Sequence, residues 1–368
     1  MSSPNDRNLL LFWAIGMMLV SVSAGDAPSF YIFGDSTVDV GTNNYIPSRA
    51  KADFPYNGID FSYSKWTGRF SNGYNSADEI VRQLGGKESP PPFLALLRNP
   101  SSFQSNLLQG VNFTSGGAGI LDATGNLTWG HVITMTQQVQ QFATVQSNVT
   151  QLLGNNSANF FANSLFLISV GSNDIFDHYY YDEANVTQLQ LMANLQSSFS
   201  DQLTDLYNLG ARKFGIVSVP PVGCCPRARL LNLNESRQSG CLTELNDYAQ
   251  AFYSMVSELL QDLSSKLRGM IYSLGDGYQM TYLLIQDPQV FRIEVIDKAC
   301  CGNGTLNAEK PCDNVNYSVN LCPNRREYLF WDFFHPTEYV AYLAAVTLVN
   351  GNSFVAPMNF SQLARAVT

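Results

Sequence analysis

The chain has 368 residues, 45% of them hydrophobic, enough to bury the core of a large globular protein. Thirty acidic side chains stand against 21 basic ones, for a formal charge of -9. That balance excludes the broad basic face nucleic-acid binding needs, and it disfavours a general electrostatic hold on an acidic polymer.

The N-terminus reads as a secretory signal. Arg7 is a short basic flank, Leu9 to Val20 an apolar core, and Val22-Ser23-Ala24 offers small residues for cleavage after Ala24. The run is too short for a membrane anchor, and no other stretch approaches the ~20 apolar residues of a span. Residues 1–24 are therefore expected to be removed, leaving 25–368 as one exported domain without a membrane span.

Phe30 to Phe33 can be a buried first strand, and it breaks into Gly34-Asp35-Ser36. Gly34 permits a sharp turn there. Ser36 then lies beyond the strand's carboxyl end, where open α/β sheets put their ligands. Tyr45 to Phe70 is irregular, and a loop this long is usually functional. Its aromatic residues Tyr56, Phe61, Tyr63 and Trp66 could line an apolar pocket, but packing within the loop is the preferred reading.

After Ser71-Asn72-Gly73, the spacing of Ala77, Ile80, Val81 and Leu84 predicts a helix ended by Gly85-Gly86. Pro90-Pro91-Pro92 breaks the chain. Val111-Asn112-Phe113 is a short strand running into the glycine-rich turn Gly116-Gly117-Ala118-Gly119. Met135 to Leu153 has helical spacing and stops at Gly154. Ser164 to Val170 is the clearest buried strand, and it breaks into Gly171-Ser172-Asn173-Asp174. A long helix carries Leu191, Leu195, Phe199, Leu203 and Leu206 on one stripe. Phe214 to Val219 is a fourth strand. A second long helix carries Leu245, Phe252, Val256 and Leu263. Met270 to Leu274 is the fifth strand, followed by a helix from Gly277 to Gln286. A cysteine-rich loop spans Lys298 to Arg326, and Pro336 to Asn350 is a closing helix. Strands alternating with helices imply a mostly parallel sheet of about five strands, doubly wound, with helices on both faces.

A serine nucleophile needs a base, and the chain has three histidines. His131 reads as a loop residue. His178, after the Gly171 turn, suits packing or a substrate rim. His335 stands in Trp331-Asp332-Phe333-Phe334-His335-Pro336. An Asp three residues before a His can meet its Nδ1 and leave Nε2 free to take a proton. The bland alternative is that Asp332 and His335 only cap the helix that follows. Pro336 suits that helix's first turn. Donors for a developing oxyanion are available at the Ser36 N–H, the Gly116-Gly117 turn and the Asn173 side chain.

No His-Glu-x-x-His occurs, and Cys300, Cys301, Cys312 and Cys322 do not have paired zinc-site spacing. Disulfides are the better reading in an exported chain. Of the seven cysteines, Cys225 is expected to stay free, because Cys224 and Cys225 cannot easily both pair with Cys241. Nine Asn-x-Ser/Thr sequons occur. Asn126, Asn148, Asn155, Asn185, Asn234, Asn303, Asn316 and Asn359 are glycosylation candidates, whereas Asn112 is excluded by its strand-like surroundings.

Four ordered stretches resemble the GDSL esterase/lipase family of plants, within the SGNH hydrolases: Phe33 to Asp39, Val111 to Gly119, Val170 to Asp174 and Trp331 to Pro336. The resemblance extends over essentially all of the chain after the signal. Thr37 departs from the family name, standing where it has Leu. The resemblance implies a three-layer flavodoxin-like fold. It also implies Ser36 as nucleophile, His335 as base and Asp332 as its orienting acid. Gly117, with Gly116 as its neighbour in register, and Asn173 would join the Ser36 N–H in the oxyanion hole.

The expected function is a secreted, extracellular serine esterase or lipase that forms an acyl-enzyme on Ser36, in the apoplast or cell wall. Its substrate would be a small-molecule, lipid or acylated-polysaccharide ester. No metal or organic cofactor and no nucleic acid are expected, and a monomer is. The alternatives are an acyltransferase using the same residues and a catalytically silent wall-binding glycoprotein.

Overall fold

A computed structural model describes residues 27–182, 185–313 and 318–368. The signal sequence and Asn316 lie outside them. The strands predicted in the first three quarters of the chain form the sheet: β1 Phe30–Gly34, β2 Gly110–Asn112, β3 Leu165–Ser169, β4 Lys213–Val217 and β5 Ile271–Gly275. Four smaller strands follow: β6 Val295–Ala299, β7 Cys301–Gly302, β8 Asn320–Leu321 and β9 Tyr328–Phe330. The last, β10 Val355–Ala356, returns to the main sheet.

The six-stranded sheet has the order β10-β5-β4-β3-β1-β2. Its first five strands are parallel, and β10 pairs antiparallel to β5 at the edge. Read from the other edge, 2-1-3-4-5 is the flavodoxin-like winding, whose order reverses at β1 and β3. β1 and β3 are near-continuous apolar runs because helices cover both faces.

Alternation along β1 divides the core. Phe30 and Ile32 face one layer, whose helices are α1 Ser76–Gln83, α5 Gly277–Gln286 and α6 Glu338–Asn350. Tyr31 and Phe33 face the other, with α2 Met135–Leu153, α3 Gln188–Asn208 and α4 Thr243–Lys266. Aromatic rings fill this second layer. Phe142 of α2 meets Phe166 of β3 nearly edge-on at 5.2 Å, and truncating such a ring costs about 3–5 kcal/mol.

Boundaries follow the caps. Thr134 and Gln137 form a capping box that opens α2, and Thr187 and Gln190 do the same for α3. The first helix starts at Ser76, because Asn75 and Asp78 make its capping box. The closing helix starts at Glu338 with Thr337 at its N-cap. Pro336 therefore lies before the helix and not in its first turn, held in a bridge to Phe330.

The cysteine-rich region is tied to the rest. β6 pairs parallel to β9, and β7 pairs antiparallel to β8. Disulfides join Cys224–Cys241, Cys300–Cys322 and Cys301–Cys312, and Cys225 is free and buried. Trp331 is buried against the second and third bridges, and its Nε1–H donates to Asn57 Oδ1 at 2.9 Å. Arg325 forks onto Asp60 at 2.6 and 2.7 Å. The irregular Tyr45–Phe70 stretch is thereby fastened to the loop that leads to Asp332. Among the described residues no helix is long and apolar enough to cross a membrane.

Candidate active site

Ser36 is in the turn that leaves β1. Gly34 has φ +136, and a Cβ there would come within 1.9 Å of Ser169 O, so only glycine lets β1 leave the sheet beside β3. Gln138 of α2 clasps the same residue: its Oε1 accepts the Gly34 N–H at 2.8 Å and its Nε2 donates to Gly34 O at 2.9 Å. The turn is further fixed by Asp35, whose Oδ1 accepts the N–H and hydroxyl of Thr37 at 2.9 and 2.7 Å. Burial pushes the Asp35 carboxyl up, against those hydrogen bonds. That oxygen is spent on Thr37 within the turn, so Asp35 is a turn residue.

His335 Nε2 lies 2.7 Å from Ser36 Oγ across a separation of 299 residues. On the other side of the ring, Nδ1 is 2.8 and 2.9 Å from the two oxygens of Asp332. Asp332 Oδ1 also accepts the backbone N–H groups of Phe334 and His335, at 3.0 and 2.8 Å. One carboxylate thus shapes the loop and orients the ring. It does not cap α6, whose N-cap is Thr337. Phe70 packs on the imidazole with ring centroids 5.0 Å apart, and His335 is buried.

Gly117 and Asn173 line the same cavity as Ser36 and His335. The two adjacent glycines of the turn differ. The Gly116 N–H donates to Asp39 Oδ2 at 3.0 Å, and its carbonyl accepts Asn43 Nδ2 at 2.8 Å. Gly117 has φ +87, and a Cβ would come within 2.5 Å of Trp129. Asn173 Nδ2 donates one hydrogen to Ala118 O at 3.0 Å; an amide carries a second.

Two buried carboxylates hold this turn. Asp39 accepts the N–H groups of Gly41 and Thr42, each at 2.8 Å, besides that of Gly116. Asp174 accepts the N–H groups of Ile120 and Leu121 and the Thr124 hydroxyl, at 2.9, 3.0 and 2.7 Å. Burial pushes each up to about 6 although those hydrogen bonds favour the ionised form. Asn43 and Asn44 also hold the loop, Asn44 through Thr67 O at 3.0 Å. Asp39, Asn43 and Asn44 thus hold the turn and its loop.

Other candidates lie elsewhere. His131 is exposed, and His178 is buried with Nε2 3.1 Å from the Tyr248 hydroxyl. Tyr56 packs beside the disulfides and Phe61 against Tyr74, while Tyr63 and Trp66 are exposed. Asn112 is buried and donates to Val38 O. Asn126, Asn155, Asn185 and Asn234 are exposed, and Asn148 and Asn303 are half-buried. Asn359 departs from the expectation. It is buried at the N-cap of the last helix, with Nδ2 turned inward to Gly351 O at 3.1 Å, so it is dropped as a glycan acceptor.

Gln138 and Asp174 carry weight that the sequence reading did not give them. Gln138 is a polar residue on the apolar stripe of Met135, Val139 and Phe142, which is the signal that could have found it. Asp174 stood next to Asn173 without a role. Burial pushes the Cys225 thiol up to about 12, so it stays protonated at neutral pH. Among the described residues no group of three metal-binding side chains is gathered.

This geometry agrees with the comparisons to known proteins. The profile of the GDSL-like lipase/acylhydrolase family matches residues 30–345. Two Arabidopsis thaliana proteins, each named as a GDSL esterase/lipase, are 34% and 35% identical, the alignments covering 94% and 95% of this chain and 93% of each relative. GDSL esterase/lipase 7 of Arabidopsis thaliana is 35% identical over 91% of this chain and 90% of its own length. The chain belongs to the GDSL-like lipase/acylhydrolase family, whose members hydrolyse esters through a serine.

Proposed function

We propose that this chain is an exported ester hydrolase in which Ser36 is the nucleophile, His335 the general base and Asp332 its orienting acid. The observation that supports it most is the unbroken contact chain from Ser36 Oγ through both ring nitrogens of His335 to Asp332. Ser36 Oγ attacks the ester carbonyl carbon while His335 Nε2 takes its proton. The negative charge that develops on the carbonyl oxygen meets the N–H groups of Ser36 and Gly117 and the Asn173 amide. Asp332 stabilises the imidazolium so formed. The tetrahedral intermediate collapses, His335 returns the proton to the leaving alcohol, and the acyl group stays on Ser36. Water, deprotonated by the same nitrogen, attacks the acyl-enzyme carbonyl, and the acid leaves as His335 returns that proton to Ser36 Oγ.

Export rests on the apolar Leu9 to Val20 run and the Ala24 cleavage site, in keeping with three disulfides. The exposed sequons Asn126, Asn155, Asn185 and Asn234 are the leading glycan acceptors. Mature protein collected from medium should begin at Gly25; a retained leader would overturn the cleavage.

Replacement Ser36→Ala tests the nucleophile. Turnover of p-nitrophenyl acetate should fall to the solution background while the circular dichroism spectrum is unchanged. Full activity in the folded variant would overturn the assignment.

A further inference from the structure

Two clefts lie apart from the cavity of Ser36. The first, of about 670 Å³, is bounded by α1, the start of α6 and the Arg325–Glu327 turn. The second, of about 770 Å³, is bounded by that turn and Pro288–Phe291. Both have the size of ligand sites. They share Asn324, Arg326 and Tyr339 as a common wall and so form one groove. The Ser36 cavity reaches α1 and α6 from their other side, through Ile80 and Ala341.

Charge in the groove is balanced. In the first cleft Arg325 forks onto Asp60, and Arg82 Nη1 is 3.2 Å from Glu79 Oε1. In the second, Arg292 and Arg326 are matched by Glu294 and Glu327. An anionic polymer would meet as many carboxylates as guanidinium groups. An alkyl chain would strip water from these charged groups and give them no partner in return. A sugar hydroxyl both donates and accepts, so it can serve a carboxylate and a guanidinium side by side.

Two further features fit such an occupant. Glu79 is only 4% exposed, yet it lines the first cleft, and among the described residues no donor meets its Oε2. Burial raises this carboxyl to about 7, with Arg82 opposing and Glu338 adding to the shift. A hydroxyl in the cleft supplies the missing donor without adding charge. On the same wall Tyr342 is 42% exposed and has no ring contact among the described residues. The face of a tyrosine ring is negative and attracts the positive edge of a C–H framework, which a pyranose presents.

We propose that this groove binds a strand of neutral polysaccharide, with one sugar unit stacked on Tyr342 and others carried past the Arg326–Tyr339 wall into the second cleft. Arg326 already lies over the Tyr339 ring at 4.6 Å, so that wall is preformed. The site is separate from the reacting centre. Binding there requires no ester and no turnover, and the proposal goes beyond the hydrolase reading.

The test is isothermal titration of the mature Ser36→Ala protein with cellohexaose, xylohexaose, mannohexaose, the three matching disaccharides and hexagalacturonate. At least one neutral hexaose should bind saturably, and more tightly than hexagalacturonate. It should bind about fivefold or more tighter than its disaccharide, because it fills both clefts. Adding Tyr342→Ala should weaken the hexaose about fivefold, the scale of one lost aromatic contact, whereas Tyr342→Phe keeps the ring and should stay within about twofold. Matched melting curves check that each variant is folded. No binding of any neutral hexaose, tighter binding of hexagalacturonate, or full affinity in folded Tyr342→Ala overturns the proposal. None of these outcomes bears on Ser36 as nucleophile, which the labelling and turnover measurements decide.

Discussion

Asp39 Oδ2 accepts the backbone N–H of Gly116 at 3.0 Å, so the residue just after the nucleophile turn holds the glycine turn that borders the same cavity. The contact points Gly116 away from the reacting centre and leaves the neighbouring Gly117 facing it. Three buried N–H groups depend on this one carboxylate.

Asp39→Ala should therefore reduce both stability and rate. Each buried N–H left unpaired costs about 1–3 kcal/mol, and the donor turn loses its anchor. Asp39→Asn keeps one acceptor oxygen and should be milder, with kcat down about tenfold and KM within about twofold, the pattern of a contact felt in the transition state. Thermal melts and steady-state kinetics check both. An Asp39→Ala protein with wild-type kcat would remove Asp39 from the account of the oxyanion turn.

Asn173→Ala should lower kcat by about 10²–10³, the usual effect of removing one oxyanion donor. The same change frees Ala118 O, so a small loss of melting temperature should accompany it. Equal kcat in the variant would mean that the amide serves Ala118 alone.

Asp332→Asn should stay folded, because an amide oxygen can still accept the Phe334 and His335 N–H groups. It should lose about 10³–10⁴ in kcat, since an amide cannot stabilise the imidazolium or hold the ring in the right tautomer. Asp332→Ala should lose stability as well. Matched melting curves and rates for the two variants separate the loop role from the ring role, and an active Asp332→Asn would contradict the second.

The Cys300–Cys322 and Cys301–Cys312 bridges close loops of 22 and 11 residues, and each such bridge stabilises by about 3 kcal/mol. They lie against Trp331, next to Asp332. The double replacement of Cys300 and Cys322 by Ser should lower the melting temperature and kcat together. A large drop in melting temperature with unchanged kcat at 20 °C would show that the bridges do not position Asp332.

Stability should rise as pH falls from 7.5 to 5. Burial raises the carboxyls of Asp39 and Asp174 to about 6 and that of Glu79 to about 7, from ordinary values of 3.8 and 4.5. Below the ordinary values both folded and unfolded chains hold these protons. Between them and the raised values only the folded chain does, so stability declines as pH climbs through about 4 to 7. The shrinking negative charge acts in the same direction. Asp60 and Glu309, held low, oppose this only below the ordinary range. Thermal melts across pH should show the rise, and a lower melting temperature at pH 5 than at 7.5 would contradict it.

Much of this was legible in the sequence for local reasons. Thr134 and Gly154 bracket α2, and the alternation of Phe30 to Phe33 and the Gly34 break locate β1 and its turn. The Asp332-x-x-His335 spacing made a compact loop foreseeable. What escaped is non-local or short. β10 has two residues and no periodicity, and it exists because β5 offers an edge. The helix at Phe93–Leu97 follows the prolines that read as a break, and the one at Pro100–Leu107 opens on a proline, a residue that starts a helix well. Gln138 and Asp174 act through partners about 50 to 100 residues away, and Asn359 is spoiled as a glycan site only by where its helix docks. The Cys300–Cys322 partnership, too, follows from the β7–β8 pairing that sets Leu321 beside Cys301, and not from spacing.

The central claim is that Ser36 is activated by His335. Intact mass and peptide mapping after treatment with a fluorophosphonate test it most directly. One adduct, on Ser36, should form on the wild type, should be absent from Ser36→Ala and should form far more slowly on His335→Ala. An unreactive wild type, or the same adduct stoichiometry in Ser36→Ala, would contradict the claim.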